Sequence, residues 1–391
     1  MNDSISASTL HITIGSGPSF EAGTALPERL SVIRLEHELR LVKAALLYGD
    51  QATLYSPFIS LAVRTLRFTE EPIKHQLRYL EAASARWSTP REPAAFSHEE
   101  IERYRSILRK PYLKSKQLLL KQQFEQKLQR FQEAARKLAS DAGGDGILQA
   151  IDSGRLKIHS FRPSLQAAME DTDQAVEEFL AIMRASVSNA STYPLLNASL
   201  GDWIGAGIRE GSITVSEAAS IRGREVGLAA ELFERLPVFD IATVQEILDI
   251  RQELERPLVR FRAKIIEFSE TVKHGQWDKD FALDAERVFR REVAPAILDI
   301  EEEAKTNHLV RSLVRKTIDK PLVVPGGSVL AAALARLDVL PSIVSLALGP
   351  VIASSVLAVD AVTEWRQKNQ QIQKNALYFY YTTGKRLQAL P

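Results

Sequence analysis

Between Val339 and Val359 the chain carries no charged side chain over 21 consecutive positions. A run of that length matches the roughly 20 residues that a helix needs to cross the apolar core of a bilayer. Pro341, Gly349 and Pro350 interrupt it. A proline inside a helix removes an amide donor and crowds the preceding turn, so one straight helix is not expected. The pattern predicts an apolar helical hairpin within 321–365, its tip at Gly349-Pro350, bounded by Arg336, Asp338 and Asp360. Such a hairpin is either the centre of a helical domain or an element that enters lipid when released. In the second case Leu340, Ile343, Val344, Leu346, Leu348, Val351, Ile352, Val356 and Leu357 are the candidate membrane-contacting side chains. Arg311, Arg315, Lys316 and Lys320 precede the run, and Arg366, Lys368 and Lys374 follow it. Cations so placed would meet phosphates or anionic headgroups. Against insertion, each arm holds only about ten to twelve apolar residues, short of a spanning helix.

A chain of 391 residues can bury a large core and suggests two or three domains. Its apolar fraction of 45% and charged fraction of 25% are those of an ordinary globular protein. The net charge of +1 gives no global field for nucleic acid, so any such binding must rest on a local patch. The absence of cysteine excludes disulfides, thiolate metal sites and cysteine nucleophiles. It fits a reducing cytoplasm. The first residues lack a basic region followed by an apolar core, so no secretory signal is expected. The expected location is cytoplasmic, with access to the inner face of a membrane.

Read in order, the chain is mostly helical. His11–Ile14, Ala52–Tyr55 and Arg155–His159 are short strand candidates, expected to form an accessory sheet. Gly15-Ser16-Gly17-Pro18 follows the first of them. It lacks the Lys-Ser/Thr ending of a phosphate loop and reads as a turn. Leu35, Leu39, Val42 and Leu46 fall at helical spacing before Gly49. Ser97 with Glu100 forms a capping box ahead of a helix. In the long helix that follows, Leu120, Phe124, Leu128, Phe131 and Leu138 make a seam for a partner helix. The same helix, over 109–137, is rich in Lys and Arg. That face reads as a solvated surface, with contact to nucleic-acid or lipid phosphates as the functional alternative. Ala142 to Gly146 reads as a linker, dividing an N-terminal region 1–142 from a C-terminal region 143–391. Ser188–Asn197 reads as a loop, and Ser216 as the cap of a helix ended by Pro237. Pro257 is expected to kink or split the stretch from Thr243 to Val272. Gly384 is expected to stop the last helix after the aromatic cluster Tyr378–Tyr381.

No catalytic constellation emerges. The seven histidines show no pair at i, i+4 with a carboxylate between. His37 between Glu36 and Glu38 reads as a solvated residue rather than a metal ligand. Glu301–Glu303 and Glu177-Glu178 point to different sides of a helix and cannot share one ion. Gly-x-Ser-x-Gly is absent, and Gly205-Ala206-Gly207 lacks the third glycine of a dinucleotide loop. Asp240 stands just before a helix start, where a carboxylate opposes the dipole. Arg251, Arg260 and Arg262 are expected to bridge helices, with Asp249, Glu253 and Glu255 as the nearest partners. No cofactor and no metal are expected.

Leu41–Pro57, LVKAALLYGDQATLYSP, and Leu236–Phe268, LPVFDIATVQEILDIRQELERPLVRFRAKIIEF, resemble motifs of uncharacterised helical bacterial proteins, some of which travel with defence or mobile genes. The resemblance covers about fifty residues and carries no functional residue. It implies a bacterial cytosolic protein with an antiphage role. The expected fold is mainly α, a multi-helix bundle with a few short strands and the C-terminal apolar hairpin. The leading functional expectation is a non-enzymatic effector that engages or permeabilises a membrane when triggered. Its partners would be another protein or a second copy, and an anionic membrane. The alternatives are a sensor or adaptor that binds a protein through the Leu120–Leu138 seam, and a nucleic-acid binder using helix 109–137.

Overall fold

The computed structural model describes residues 9–16, 28–56, 59–60, 63, 66–67, 77, 96–110, 112–159, 172–304, 370 and 372–390. These are mostly helical, with one small parallel sheet of four strands. Two compact units divide the chain. One takes Met1–Glu255, Ile265–Arg287 and Thr383–Pro391, the other Arg256–Lys264 and Val288–Thr382. The hairpin expected at 321–365 and its basic flank Arg311, Arg315, Lys316 and Lys320 lie outside the described residues.

The first unit is built around strands β1 (His11–Gly15), β2 (Gln51–Tyr55), β3 (Leu156–Ile158) and β4 (Tyr193–Leu196). Their order is β3-β2-β1-β4 and every pairing is parallel. Parallel pairing requires a crossover between strands, and the faces of such a sheet are covered by helices. Here helix α1 (Glu28–Tyr48) joins β1 to β2. The predicted stripe Leu35, Leu39, Val42 and Leu46 is buried, and so are Leu41, Ala44, Ala45, Leu47 and Tyr48. The C-terminal half of α1 is thus covered on all sides, as expected of a central helix. Its end meets the Ile12 face of the sheet, where a Cβ on Gly49 would lie 2.7 Å from Ile12 Cδ1. Tyr55 and Leu196 turn to the opposite face, against Phe179, Met183, Leu200, Ile204 and Trp277. That cluster comes from α5 (Thr172–Ser188), α6 (Ala198–Arg209) and the loop at Trp277.

Helices α2 (His98–Leu108), α3 (Ser115–Asp141) and α4 (Ile147–Asp152) lie between β2 and β3 in the chain. The capping box of Ser97 and Glu100 forms as read from sequence. After β4 come α6, α7 (Glu217–Glu234, capped by Ser216), α8 (Val244–Glu253), α9 (Glu255–Ser269) and α10 (Phe281–Val288). α1 packs on α7 and α8, and α7 packs on β4. The break between α8 and α9 falls at Leu254, and Pro257 stands in the first turn of α9, where its missing amide costs no helical hydrogen bond. β4 occupies part of the stretch expected to be a loop. Pro194 sends its carbonyl outward to the Gln276 amide, so its missing N–H also faces outward and β1 loses no partner. Gln276 Oε1 accepts from Leu196 N at 3.2 Å, so one side chain satisfies the open edge of the strand.

In the second unit, Phe289–Val293 form a π turn in which Ala294 N–H donates to the Phe289 carbonyl. The turn ends two residues before Pro295, whose absent amide proton cannot continue an α ladder. Phe379 and Tyr380 pack against Phe261, with centroids 5.2 and 6.2 Å away. They open α11 (Tyr378–Gln388), which runs through Gly384 instead of stopping there.

One buried cation ties three distant segments of the first unit together. Lys43 is 1% exposed and donates to the carbonyls of Phe239 (3.3 Å), Asp240 (2.6 Å) and Ala242 (2.9 Å). The same loop receives the glycine-rich segment. Gly143 O accepts from Val244 N, and Asp145 O from Gln245 N. Ala142, Gly143 and Gly144 are buried, so this stretch is a packed turn rather than an exposed linker. Burial lowers the Lys43 pKa to about 8, against the attraction of Asp240. Replacing Lys43 by Met leaves three carbonyls without their donor. The expected loss is about 3 kcal/mol, read as a lower urea midpoint at unchanged slope. Close by, burial and the neighbouring Glu231 raise the Glu234 pKa to about 7, against the pull of Arg40. The folded state then binds a proton more tightly than the unfolded chain, whose carboxyl keeps its ordinary 4.5. The stability contribution is present below pH 4.5 and disappears as pH rises through 7. Glu234→Gln is expected to flatten the fall in Tm between pH 5 and pH 7.5, measured against wild type in matched buffers.

Candidate functional site

The carboxyl ends of the four strands bring one polar residue each to a common line: Ser16, Ser56, His159 and Asn197. Backbone bonds fix their order. Ser16 N donates to Tyr55 O at 3.1 Å, His159 N to Leu54 O at 2.9 Å and Asn197 N to Gly15 O at 3.1 Å. Asn197 caps α6 by accepting from Leu200 N at 3.0 Å, while its Nδ2 donates to Ser16 Oγ at 3.3 Å. One side chain therefore joins the end of β1 to the start of the helix after β4. Ser56 is fully buried. Its hydroxyl donates to Glu38 Oε2 and accepts from Ile59 N at 3.1 Å. The His159 ring lies 4.7 Å from that of Tyr55.

The strand order gives this edge its shape. From β1 the chain passes to β2 and β3 on one side, then returns to place β4 on the other. The connection after β1 leads to α1 on the Ile12 face, and that after β4 leads to α6 on the Gly15 face. Connections that diverge to opposite faces mark the kind of strand end where open parallel sheets bind ligands. Gly15 permits close packing beneath it. A Cβ there would lie 2.6 Å from both Leu200 Cδ2 and Met183 Sδ. The first amides of α6 have no intrahelical acceptor and carry the positive end of the helix dipole. The Ser16 hydroxyl, the Asn197 carboxamide and the first amides of α6 are polar groups of the kind that meets phosphate and sugar oxygens.

The amino ends of the strands are closed by ion pairing. Arg251 donates to Asp50 Oδ1 at 2.9 Å and to Leu47 O at 3.3 Å, and Asp50 Oδ2 accepts from Leu10 N at 2.9 Å. Arg251 thus pairs with Asp50, an acid far from it in sequence that was not among the expected partners. Arg260 donates to the Gln373 carbonyl at 2.6 Å. Asp240 pairs with Arg40 at 2.9 Å, while Thr243 and Glu246 cap the helix it precedes. His274 Nδ1 lies 2.9 Å from Asp284, which also accepts from Lys273 N, His274 N and Arg287. Burial opposes ionisation of Asp284, but the His274 ring and the two backbone amides outweigh it and hold the pKa low. That carboxylate organises the turn before α10. Glu36 and His37 are exposed while Glu38 is buried, so the three do not converge. Among the described residues no group of three His, Asp or Glu could hold a metal.

Of the expected seam, Phe124 is buried, and Leu120 and Leu128 are half-buried. Phe124 stacks on Tyr104 of α2 with centroids 4.1 Å apart, so α3 meets a helix of its own chain there. Phe131 and Leu138 lie on α3, with side chains outside the described residues. Leu340, Ile343, Val344, Leu346, Leu348, Val351, Ile352, Val356 and Leu357 lie outside them altogether. None of the strand-end residues was expected to form a site; Ser16 was considered within Gly15-Ser16-Gly17-Pro18 and read as part of a turn. The available signal was the alternation of strand candidates with helices, which points to parallel pairing. No family model, curated protein or solved structure matches the chain.

Proposed function

We propose that the carboxyl edge of the sheet, between β1 and β4, binds a small anionic ligand of the nucleotide or sugar-phosphate class. The observation that carries this reading is the strand order β3-β2-β1-β4 with all strands parallel. Ser16 and Asn197 would contact the ligand beside the N-terminus of α6. The test is calorimetric titration and thermal shift with ATP, NAD and inorganic phosphate. A ligand at 100 times its Kd stabilises the fold by about 2.7 kcal/mol. Asn197→Asp keeps a good cap, because Asp and Asn serve equally at this position. The added negative charge should weaken binding at least tenfold while Tm without ligand stays within about 2 °C, a shift of the size expected for well under 1 kcal/mol. No response of the wild type to any of the three ligands, or unchanged affinity in the variant, removes this reading.

A second reading is favoured by the charge-free run Val339–Val359 and its basic flanks. Here the protein is a non-enzymatic effector that engages or permeabilises a membrane, with antiphage defence as its setting. Among the described residues no helix is long and apolar enough to cross a membrane. The run itself lies outside them. Dye release from vesicles containing phosphatidylserine tests it, in the presence and absence of the ligands above. Release is expected from wild type and not from a variant carrying Leu346→Asp and Val351→Asp with an unchanged circular dichroism spectrum. No release under either condition would sink it.

A further inference from the structure

The α2–α3 hairpin leaves its own tip uncovered. Lys127 Nζ meets Glu100 at 2.9 and 3.0 Å, and Tyr104 stacks on Phe124, so the two helices run antiparallel. Continuing that register puts the end of α2 and the first turn of α3 at the hairpin tip. Leu108, Tyr112, Leu118 and Leu119 are exposed there, by 37%, 89%, 47% and 54%. Single exposed apolar residues are ordinary, but four at one hairpin end form a patch. Arg109, Lys110, Lys114 and Lys116 are exposed among them, and none is in an ion pair with a described residue. Lower on the hairpin the pattern changes. Arg103 pairs with Glu99, Arg105 with Glu102 and Lys121 with Glu125. From Arg103 to Phe124 the sequence holds seven basic residues and no acidic one.

We propose that this tip docks the protein on an anionic lipid surface. Tyr112, Leu118 and Leu119 enter the headgroup boundary, and the four unpaired cations lie among the phosphates. The apolar side chains decide the partner. Nucleic acid would engage the cations, but leucines offer nothing to phosphates, and a single-strand binder needs several stacking aromatics where Tyr112 stands alone. A lipid interface uses both halves of the patch, through buried apolar area and attraction to charged headgroups. The tip is separate in sequence from the run Val339–Val359, so docking does not depend on insertion by that run.

The experiment is co-sedimentation of the full chain with phosphatidylcholine vesicles, with and without phosphatidylserine. Wild type is expected to bind only the anionic vesicles and to bind less at 0.5 M salt. Reversing Arg109, Lys110, Lys114 and Lys116 to Glu together should lower partition at least 100-fold, on about fivefold per charge. Leu118→Ser with Leu119→Ser should lower it about tenfold. Both variants alter exposed side chains and should keep the wild-type melting curve. The Leu346→Asp, Val351→Asp variant should still bind, even where it no longer releases dye. The proposal is overturned if wild type ignores anionic vesicles. It is equally overturned if charge reversal leaves vesicle binding intact, or if the tip variants lose only binding to a single-stranded oligonucleotide.

Discussion

A single ammonium group holds the first unit's most improbable piece of backbone. The loop after α7 contains Val238 at φ 67°, a left-handed conformation that a β-branched residue adopts only when its surroundings impose it. Its carbonyls at Phe239, Asp240 and Ala242 all face inward to Lys43 Nζ. A buried ammonium needs acceptors for its protons, and the loop needs donors for its carbonyls. Each requirement answers the other. Phe239 is buried beside the same ammonium, its ring centroid 5.9 Å away. Gly143, at φ 75°, brings a second chain segment against the loop at a place where any side chain would be strained. α1, the glycine turn and the start of α8 are thereby locked together. β1 and β2 flank α1 in sequence, so they are placed by the same cation.

With α1 fixed, the two ends of the sheet take different roles. At the amino end Arg251, Asp50 and the backbone of Leu10 and Leu47 satisfy one another. A guanidinium that is 6% exposed would be costly without such partners, so this end is committed to stability. At the carboxyl end stand Ser16, Ser56, His159 and Asn197, with Glu38 tied to Ser56. The cap of α6 and the end of β1 are joined by one carboxamide. On the proposed reading, stability and recognition are separated along strands of three to five residues.

Local chemistry was legible in the sequence, and long-range pairing was not. The capping box at Ser97, the cap at Ser216 and the strands at His11 and Gln51 could be read because each signal lies within a few residues. β4 was missed because Tyr-Pro-Leu-Leu is too short for alternation and its proline argues against a strand. Only the placement of Gln276 along its outer edge makes that proline tolerable. Arg251 had three acids close in sequence and pairs with one 201 positions away. Gly384 looked like a helix stop, yet a glycine ends a helix by turning left-handed, and Gly384 keeps a negative φ within α11. The strand-end site was hidden for a related reason. It consists of single residues from four strands, and only the strand order brings them together.

Net charge misleads for the same reason that local sequence does. A total of +1 suggests a protein indifferent to polyanions, but the sum conceals a separation. The tip of the α2–α3 hairpin carries unpaired cations, while Glu231, Glu234 and Asp240 gather near α1 around Arg40 and Lys43. Screening limits the reach of exposed charges to about 8 Å in physiological salt, so an approaching surface feels the patch it faces and not the total. A protein of net charge +1 can therefore still present a basic tip. That tip is set by the cations that the fold leaves outside any ion pair among the described residues.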